Sequence, residues 1–259
     1  MRQVSIFPFI LGNIMKLDVL AVGAHPDDIE LTCSGTILKL VRQGRSVGIV
    51  DLTEGELGTR GSRQLRQEEA ASASKVLGVN VRENLRIPDG NILINRENLL
   101  KVIRAIRAYR PEILLFPYWK DRHPDHEHAH TLCREAMFYA GLAKIETVAE
   151  GTPQPPHRPG RWFHFMQWEE FTPSFVIDVS DVWPDRMKSI LSYRSQFYDS
   201  NSKEPETVLS SPDFIDFLET RGKYYGDMIG AAYGEPFLAG KTLAFRSPDA
   251  PFGLESGGS

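Results

Sequence analysis

The sequence predicts an α/β protein with a Rossmann-like, doubly wound, mostly parallel sheet and helices on both faces. Three observations carry that expectation. Apolar, β-branched runs alternate with stretches of helical spacing through residue 140. Strand, helix and strand follow one another over residues 17–52, and so long a connection means parallel pairing with a right-handed crossover. Gly23, Gly44, Gly78 and Pro111 mark the junctions.

Taken in order, the first strand occupies residues 17–22 and stops at Gly23. Ile37, Leu38 and Val41 have helical spacing, which places a helix over 34–43 with Gly44 at its end. A second strand covers 46–52. The glycine-punctuated loop 53–62 leads into a helix over 63–77, closed by Gly78. A short strand at 84–87 precedes the turn Pro88-Asp89-Gly90, a helix covers 97–109, a strand 112–116, and another helix 125–140. Residues 151–160, with four prolines, read as a surface loop. Two further strands are expected at 162–168 and 174–179, and helices at 185–197 and 214–232.

The chain has 259 residues, 41% hydrophobic and 25% charged, ample for a large core. A single domain is expected over 15–240, with an N-terminal extension at 1–14 and a Gly/Ser/Pro-rich tail at 241–259. A net charge of −4 lacks the basic field that nucleic acids and anionic membranes demand. The apolar run at 6–12 is too short to span a bilayer and contains Pro8; it also lacks the flanks of a signal peptide. Cys33 and Cys133 are no disulfide framework, so the expectation is two packed thiols in a reducing cytoplasm.

Two polar clusters follow apolar strands. His25-Pro26-Asp27-Asp28-Ile29-Glu30 comes after the first, and His123-Pro124-Asp125-His126 comes after the strand ending near Phe116. In an open parallel sheet ligands bind at strand carboxyl ends where the strand order reverses. If these two strands flank that reversal, imidazoles and carboxylates converge in one crevice. A catalytic zinc wants three such ligands and one open position, and a spare carboxylate can move a proton. The residue types leave open which of His25, Asp27, Asp28, His123, Asp125 and His126 bind metal and which do acid–base work.

Rival readings are testable. His126-Glu127-His128-Ala129-His130 matches the HExxH pattern of zinc peptidases, but it sits in a first helical turn and leaves His25 to Asp28 without a purpose. A module that binds metal or carbohydrate without turnover would have no need of Asp27. The loop 55–61 lacks the Gly-Lys-Ser/Thr ending of a phosphate-binding loop. Glu30 reads as a first-turn residue, and Asp89 as a turn residue.

The two tetrapeptides together resemble those of the PIG-L/LmbE family of zinc-dependent N-acetylglucosaminide deacetylases. Asp51-Leu52-Thr53, the run Gly55 to Gly61, Leu85 to Gly90, Asp121-Arg122 and Ser195-Gln196-Phe197 are similar to the branch that deacetylates N-acetylglucosaminyl-malate in bacillithiol biosynthesis. The resemblance spans residues 16–240. It implies that His25, Asp28 and His126 bind one Zn²⁺ per subunit, other divalent metals suiting the same donors. It further implies Asp27 as general base, and His123 as oxyanion stabiliser or proton donor with Asp125 orienting it. Arg66 becomes a substrate contact whose fork suits a malate carboxylate, with Arg60 and Arg63 as neighbouring rivals. The implied substrate is an N-acetyl sugar, foremost the malate glycoside and alternatively a chito-oligosaccharide. The implied assembly is a homo-oligomer, up to a hexamer.

Overall fold

The computed structural model describes residues 15–198, 200 and 202–245. The expected extension at 1–14 and residues 246–259 of the expected tail lie outside the described residues. Strands β1 (Val19–Gly23), β2 (Val47–Asp51), β3 (Val81–Asn84) and β4 (Ile113–Pro117) alternate with helices α1 (Asp28–Arg42), α2 (Arg63–Leu77), α3 (Arg96–Tyr109) and α4 (Pro124–Ala140). A two-stranded hairpin, β5 (Val148–Ala149) and β6 (Thr152–Pro153), occupies the border of the proline-rich segment. Then come β7 (Arg161–Phe165), β8 (Phe175–Asp178), α5 (Trp183–Ile190), α6 (Phe214–Asp227) and β9 (Gly234–Ala239).

The main sheet has the order β3-β2-β1-β4-β7-β9-β8. The first five strands in that order pair in parallel, whereas β9 runs antiparallel to both β7 and β8. Alternation along β1 divides the core in two. Leu20 and Val22 pack with Val102, Ile106, Leu132 and Ala136 of α3 and α4. Val19 and Ala21 pack with Ile29 and Ile37 of α1 and Trp183 of α5. Helices therefore cover both faces, as the alternating pattern predicts. A third cluster joins Ala70 and Ala73 of α2 to Tyr193, Phe197, Phe214 and Leu218.

Four element expectations are corrected. The short strand expected at 84–87 lies at Val81–Asn84, its register fixed by parallel pairing with β2. The first helix begins at Asp28, six residues before the expected start, because the polar cluster itself forms its first turns. Its axis kinks at Cys33, where φ is −141°. The N–H groups freed there, on Gly35 and Thr36, donate to the two oxygens of Glu235 at 2.9 and 2.7 Å. Gly35 is required at that approach, since a Cβ would lie 2.8 Å from Val179 Cγ1. The helix expected over 185–197 stops at Ile190, and the one expected over 214–232 stops at Asp227. Strand β9 is not anticipated by the sequence pattern, since Pro236 argues against an interior strand; it nonetheless lies between β7 and β8.

Glu235 is fully committed. Arg186 Nε donates to it at 2.8 Å, and Arg186 Nη2 donates to Leu31 O, also at 2.8 Å. Arg186 and Glu235 are both buried. Glu235→Ala would strand a buried guanidinium and two helix N–H groups, so the expected loss is about 3–5 kcal/mol of unfolding free energy. A urea midpoint near that of the unsubstituted protein would refute it.

Candidate metal centre and cavity

β1 and β4 are neighbours in the sheet, and the strands continue from them in opposite directions. That is the reversal point the sequence anticipates, and both His-Pro-Asp corners stand at its carboxyl edge. Leaving β1, the chain folds tightly: the His25 N–H donates to Asp28 Oδ2 at 2.9 Å, and Asp27 takes φ 109°. A non-glycine residue held there costs about 1–3 kcal/mol, a strain that accumulates at functional sites. At the other corner His123 caps α4, its Nδ1 accepting the Asp125 N–H at 3.2 Å, with Pro124 in the first turn.

His25, Asp28 and His126 offer one donor atom each, all within 4.8 Å of one another. His126 Nε2 lies 3.4 Å from Asp28 Oδ1, and His25 Nδ1 lies 3.8 Å from Asp28 Oδ2. The other nitrogen of each ring meets a carboxylate. His25 Nε2 is 3.1 Å from Asp89 Oδ1 and 3.4 Å from Asp125 Oδ2, and His126 Nδ1 is 2.8 Å from Asp121 Oδ1. Metal-ligating histidines carry such carboxylate partners, which fix tautomer and ring orientation. Two imidazoles and one carboxylate therefore fit a divalent ion of the zinc type with a position left open. His25, His123 and Asp125 also cluster within that span, but Asp125 Oδ2 already accepts the Gly90 N–H at 2.7 Å as well as facing His25.

The field of these acids shapes the site. Burial works to lower the His25 pKa, but the Asp125 and Asp89 hydrogen bonds and the Asp28 charge outweigh it and hold it at about 10. Burial opposes the charge on His126 too, and Asp28 and Asp121 raise it to about 9. Asp27 and Asp28, side by side and buried, are driven apart. Burial and the Asp28 charge push Asp27 up in spite of Arg66, whereas His126 and His25 overcome burial and pull Asp28 down.

Asp27 stands outside the donor set. Its Oδ2 accepts from Arg66 Nη2 at 2.7 Å, and Arg66 Nη1 reaches Gly55 O at 3.4 Å. The fork expected to clamp a substrate carboxylate thus holds Asp27 instead, although Arg66 still borders the cavity. Arg66→Ala is accordingly expected to lower kcat at least tenfold, beyond any rise in KM, by freeing a buried carboxylate that one charge-assisted hydrogen bond holds. A change in KM alone, measured by steady-state kinetics, would refute this.

Other expectations sort themselves out. The Asp125 carboxylate turns to His25 and not to His123, to which only its backbone N–H donates. Asp89, read as a turn residue, also orients His25. Asp121 is anchored by the N–H groups of His123 and Trp168 at 3.0 and 2.8 Å while it holds His126. Glu30 is structural, paired with Arg82 Nη1 at 2.6 Å, while Asp51 takes the other edge of that guanidinium. Arg60 is buried with its Nε on Ser195 O, and Arg63 lies 3.2 Å from Glu54. The HExxH reading fails: the His130 Nδ1 hydrogen-bonds Pro117 O at 2.9 Å beside His164, and Glu127 accepts the Asp121 N–H. Both cysteines are buried and free. Among the described residues no helix is long and apolar enough to cross a membrane.

A cavity of about 520 Å³ opens over the donors. His25, Asp27, Asp28, His123 and His126 line it together with Leu57, Trp168, Leu209, Phe214 and Phe217. Aromatic and aliphatic walls with a few convergent polar groups are the usual make-up of a small-molecule site.

The chain is similar to known proteins over most of its length. Residues 20–137 match the family model described as PIG-L, GlcNAc-PI de-N-acetylase. Diacetylchitobiose deacetylase of Thermococcus kodakarensis is 32% identical over 232 residues, covering 84% of this chain and 80% of that protein. Among solved structures, the conserved protein TT1542 of Thermus thermophilus superposes with a TM-score of 0.79 at 36% identity, covering 90% of this chain and 98% of that one. N,N'-diacetylchitobiose deacetylase of Pyrococcus horikoshii, complexed with its inhibitor, superposes at 0.74 with 25% identity over 89% and 87% of the two chains. Both histidine corners lie in the matched span and meet at the strand reversal, and the chain belongs to the PIG-L family.

Proposed function

We propose that the protein is a metal-dependent amide hydrolase that removes the acetyl group from an N-acetylglucosamine derivative. The observation that carries this is the convergence of His25, Asp28 and His126 with a buried carboxylate, Asp27, beside them and outside the donor set. One divalent ion per chain, zinc in our reading, would be held by those three residues and would supply a water acidified to a pKa of about 7 and a positive charge facing the amide carbonyl.

The remaining work falls to the chain's own residues. Asp27, aimed by its turn and by Arg66, accepts a proton from the attacking water as the water oxygen bonds to the acetyl carbon. His123 Nδ1 accepts the Asp125 N–H, so in the neutral ring Nε2 carries the proton. That N–H is free to donate to the developing oxyanion, and one such donor contributes about 2.7–4 kcal/mol. The C–N bond then breaks as the proton held by Asp27 passes to the sugar nitrogen, the remaining proton of the water is given up to the amine, and acetate and the protonated amine leave.

For the aglycone we favour malate. The loop 55–61, the turn Pro88-Asp89-Gly90 and the pair Asp121-Arg122 support this, being segments similar to the malate-glycoside branch that border or brace the cavity. A chito-oligosaccharide is the second reading, favoured by the 32% identity to a diacetylchitobiose deacetylase. The test is acetate release from N-acetylglucosaminyl-malate and from diacetylchitobiose, with and without a chelator. Chelator-sensitive release is expected from both, with the higher kcat/KM on the malate glycoside. Higher kcat/KM on chitobiose would reverse the choice of aglycone, and no acetate from either would defeat the hydrolase reading.

A further inference from the structure

Ser195-Gln196-Phe197, beyond the end of α5, takes no part in the hydrolysis, yet the fold holds it from three sides. Ser195 donates from its backbone N–H and from its Oγ to the two oxygens of Glu69 on α2, each at 2.7 Å. Its carbonyl accepts from Arg60 Nε of the loop 55–61, and Phe197 packs into the third core cluster beside Phe214. Loop and segment meet without a gap, since a Cβ on Gly61 would lie 2.7 Å from Ser195 Oγ.

Gln196 sits inside this clamp, 7% exposed. Its Nε2 donates to Arg60 O at 2.9 Å and to Ser195 Oγ at 2.8 Å. A backbone carbonyl can only accept, so the nitrogen of the carboxamide must face Arg60, and both of its protons are spent. That network fixes which way the amide points. Among the described residues nothing donates to its Oε1, and Gln196 borders the cavity together with Gly58 and Thr59 of the loop. Gln167 also borders the cavity with an unpartnered Oε1, but among the described residues no bond anchors its amide nitrogen, so it presents no fixed acceptor.

A rigid, neutral acceptor in a largely apolar wall calls for a neutral donor, because a buried oxygen left unpaired costs more than a paired one gains. A hydroxyl meets that need. A carboxylate has no proton to give, so the ligand of Oε1 lies on the sugar and not on an anionic aglycone. Resting on the deacetylase reading above, we propose that Gln196 is a specificity-determining residue whose Oε1 accepts a hydrogen bond from a ring hydroxyl of the N-acetylglucosamine unit. Ser195, Glu69 and Arg60 are then the positioning residues that hold the carboxamide in place.

The experiment measures kcat/KM for acetate release from methyl N-acetylglucosaminide and from its 3-deoxy, 4-deoxy and 6-deoxy analogues, with the unsubstituted protein, Gln196→Met and Gln196→Asn. In the unsubstituted protein, loss of the hydroxyl that Gln196 reads lowers kcat/KM about tenfold, and the analogue that suffers identifies the hydroxyl. Gln196→Met keeps the length of the side chain without the acceptor, so the ratio of parent to that analogue falls to about one. Loosening of the loop through the lost Nε2 bonds lowers all four substrates alike, and the ratio therefore separates recognition from a merely structural effect. Gln196→Asn retains a carboxamide but withdraws it by one methylene; it gives the same collapse and serves should the methionine variant fail to fold. No deoxy penalty in the unsubstituted protein, or a penalty that persists in a folded variant, overturns the assignment and leaves the deacetylase reading standing. Absence of acetate from the methyl glycoside, N-acetylglucosaminyl-malate and diacetylchitobiose alike overturns both.

Discussion

Asp27→Asn is expected to keep its metal and to lose about 10²- to 10⁴-fold in kcat, the usual weight of a positioned acid–base group. The side chain is buried, its backbone is held at φ 109°, and its Oδ2 is fixed by Arg66. None of that geometry serves metal binding in the proposed assignment, whose donors are His25 and Asp28 with His126. An amide of the same shape occupies the same space but cannot accept a proton from water. Metal content by plasma emission spectroscopy and steady-state kinetics on one sample make the test: full metal with collapsed kcat supports the base, and full metal with full kcat removes it.

His126→Ala is expected to remove tightly bound metal, and turnover with it. The loss should exceed the about 10- to 100-fold in affinity that follows removal of an outer carboxylate partner, because one of only three protein donors is gone. Fold should survive, since His126 sits in the first turn of α4 and is not part of its packed face. Retention of one metal per chain after dialysis against a weak chelator would contradict the assignment. So would unfolding in the unsubstituted protein's apo form, which would make the metal structural.

The sequence reveals much of this site because the site lies close to its own code. Each histidine corner directly follows an apolar strand, and parallel α/β topology brings strand ends together without further instruction. The helix boundary at Leu77 is legible for a similar reason: Gly78 takes φ 70°, the left-handed cap that ends helices. The orienting acids are not legible. Asp89 occupies a turn whose composition already explains it, and its reach to His25 crosses sixty-four positions of sequence. Asp121 looks like a loop residue until Trp168 and His126 close around it. Arg66 suggests a substrate anion, as a lone arginine near a site does, and only three dimensions show the buried acid that it also holds. Strand β9 and the Glu235 cap of the kinked α1 are hidden by Pro236 and by two hundred residues of separation.

The central claim is that one ion is shared by residues from both corners. Anomalous X-ray diffraction at the zinc absorption edge, on crystals of protein purified with zinc, tests it most directly. The account predicts a single peak per chain within about 2.0 to 2.2 Å of donor atoms from His25, Asp28 and His126, with Asp27 unbound to it. A peak lodged among His25, His123 and Asp125, or no peak in this cavity, would contradict it.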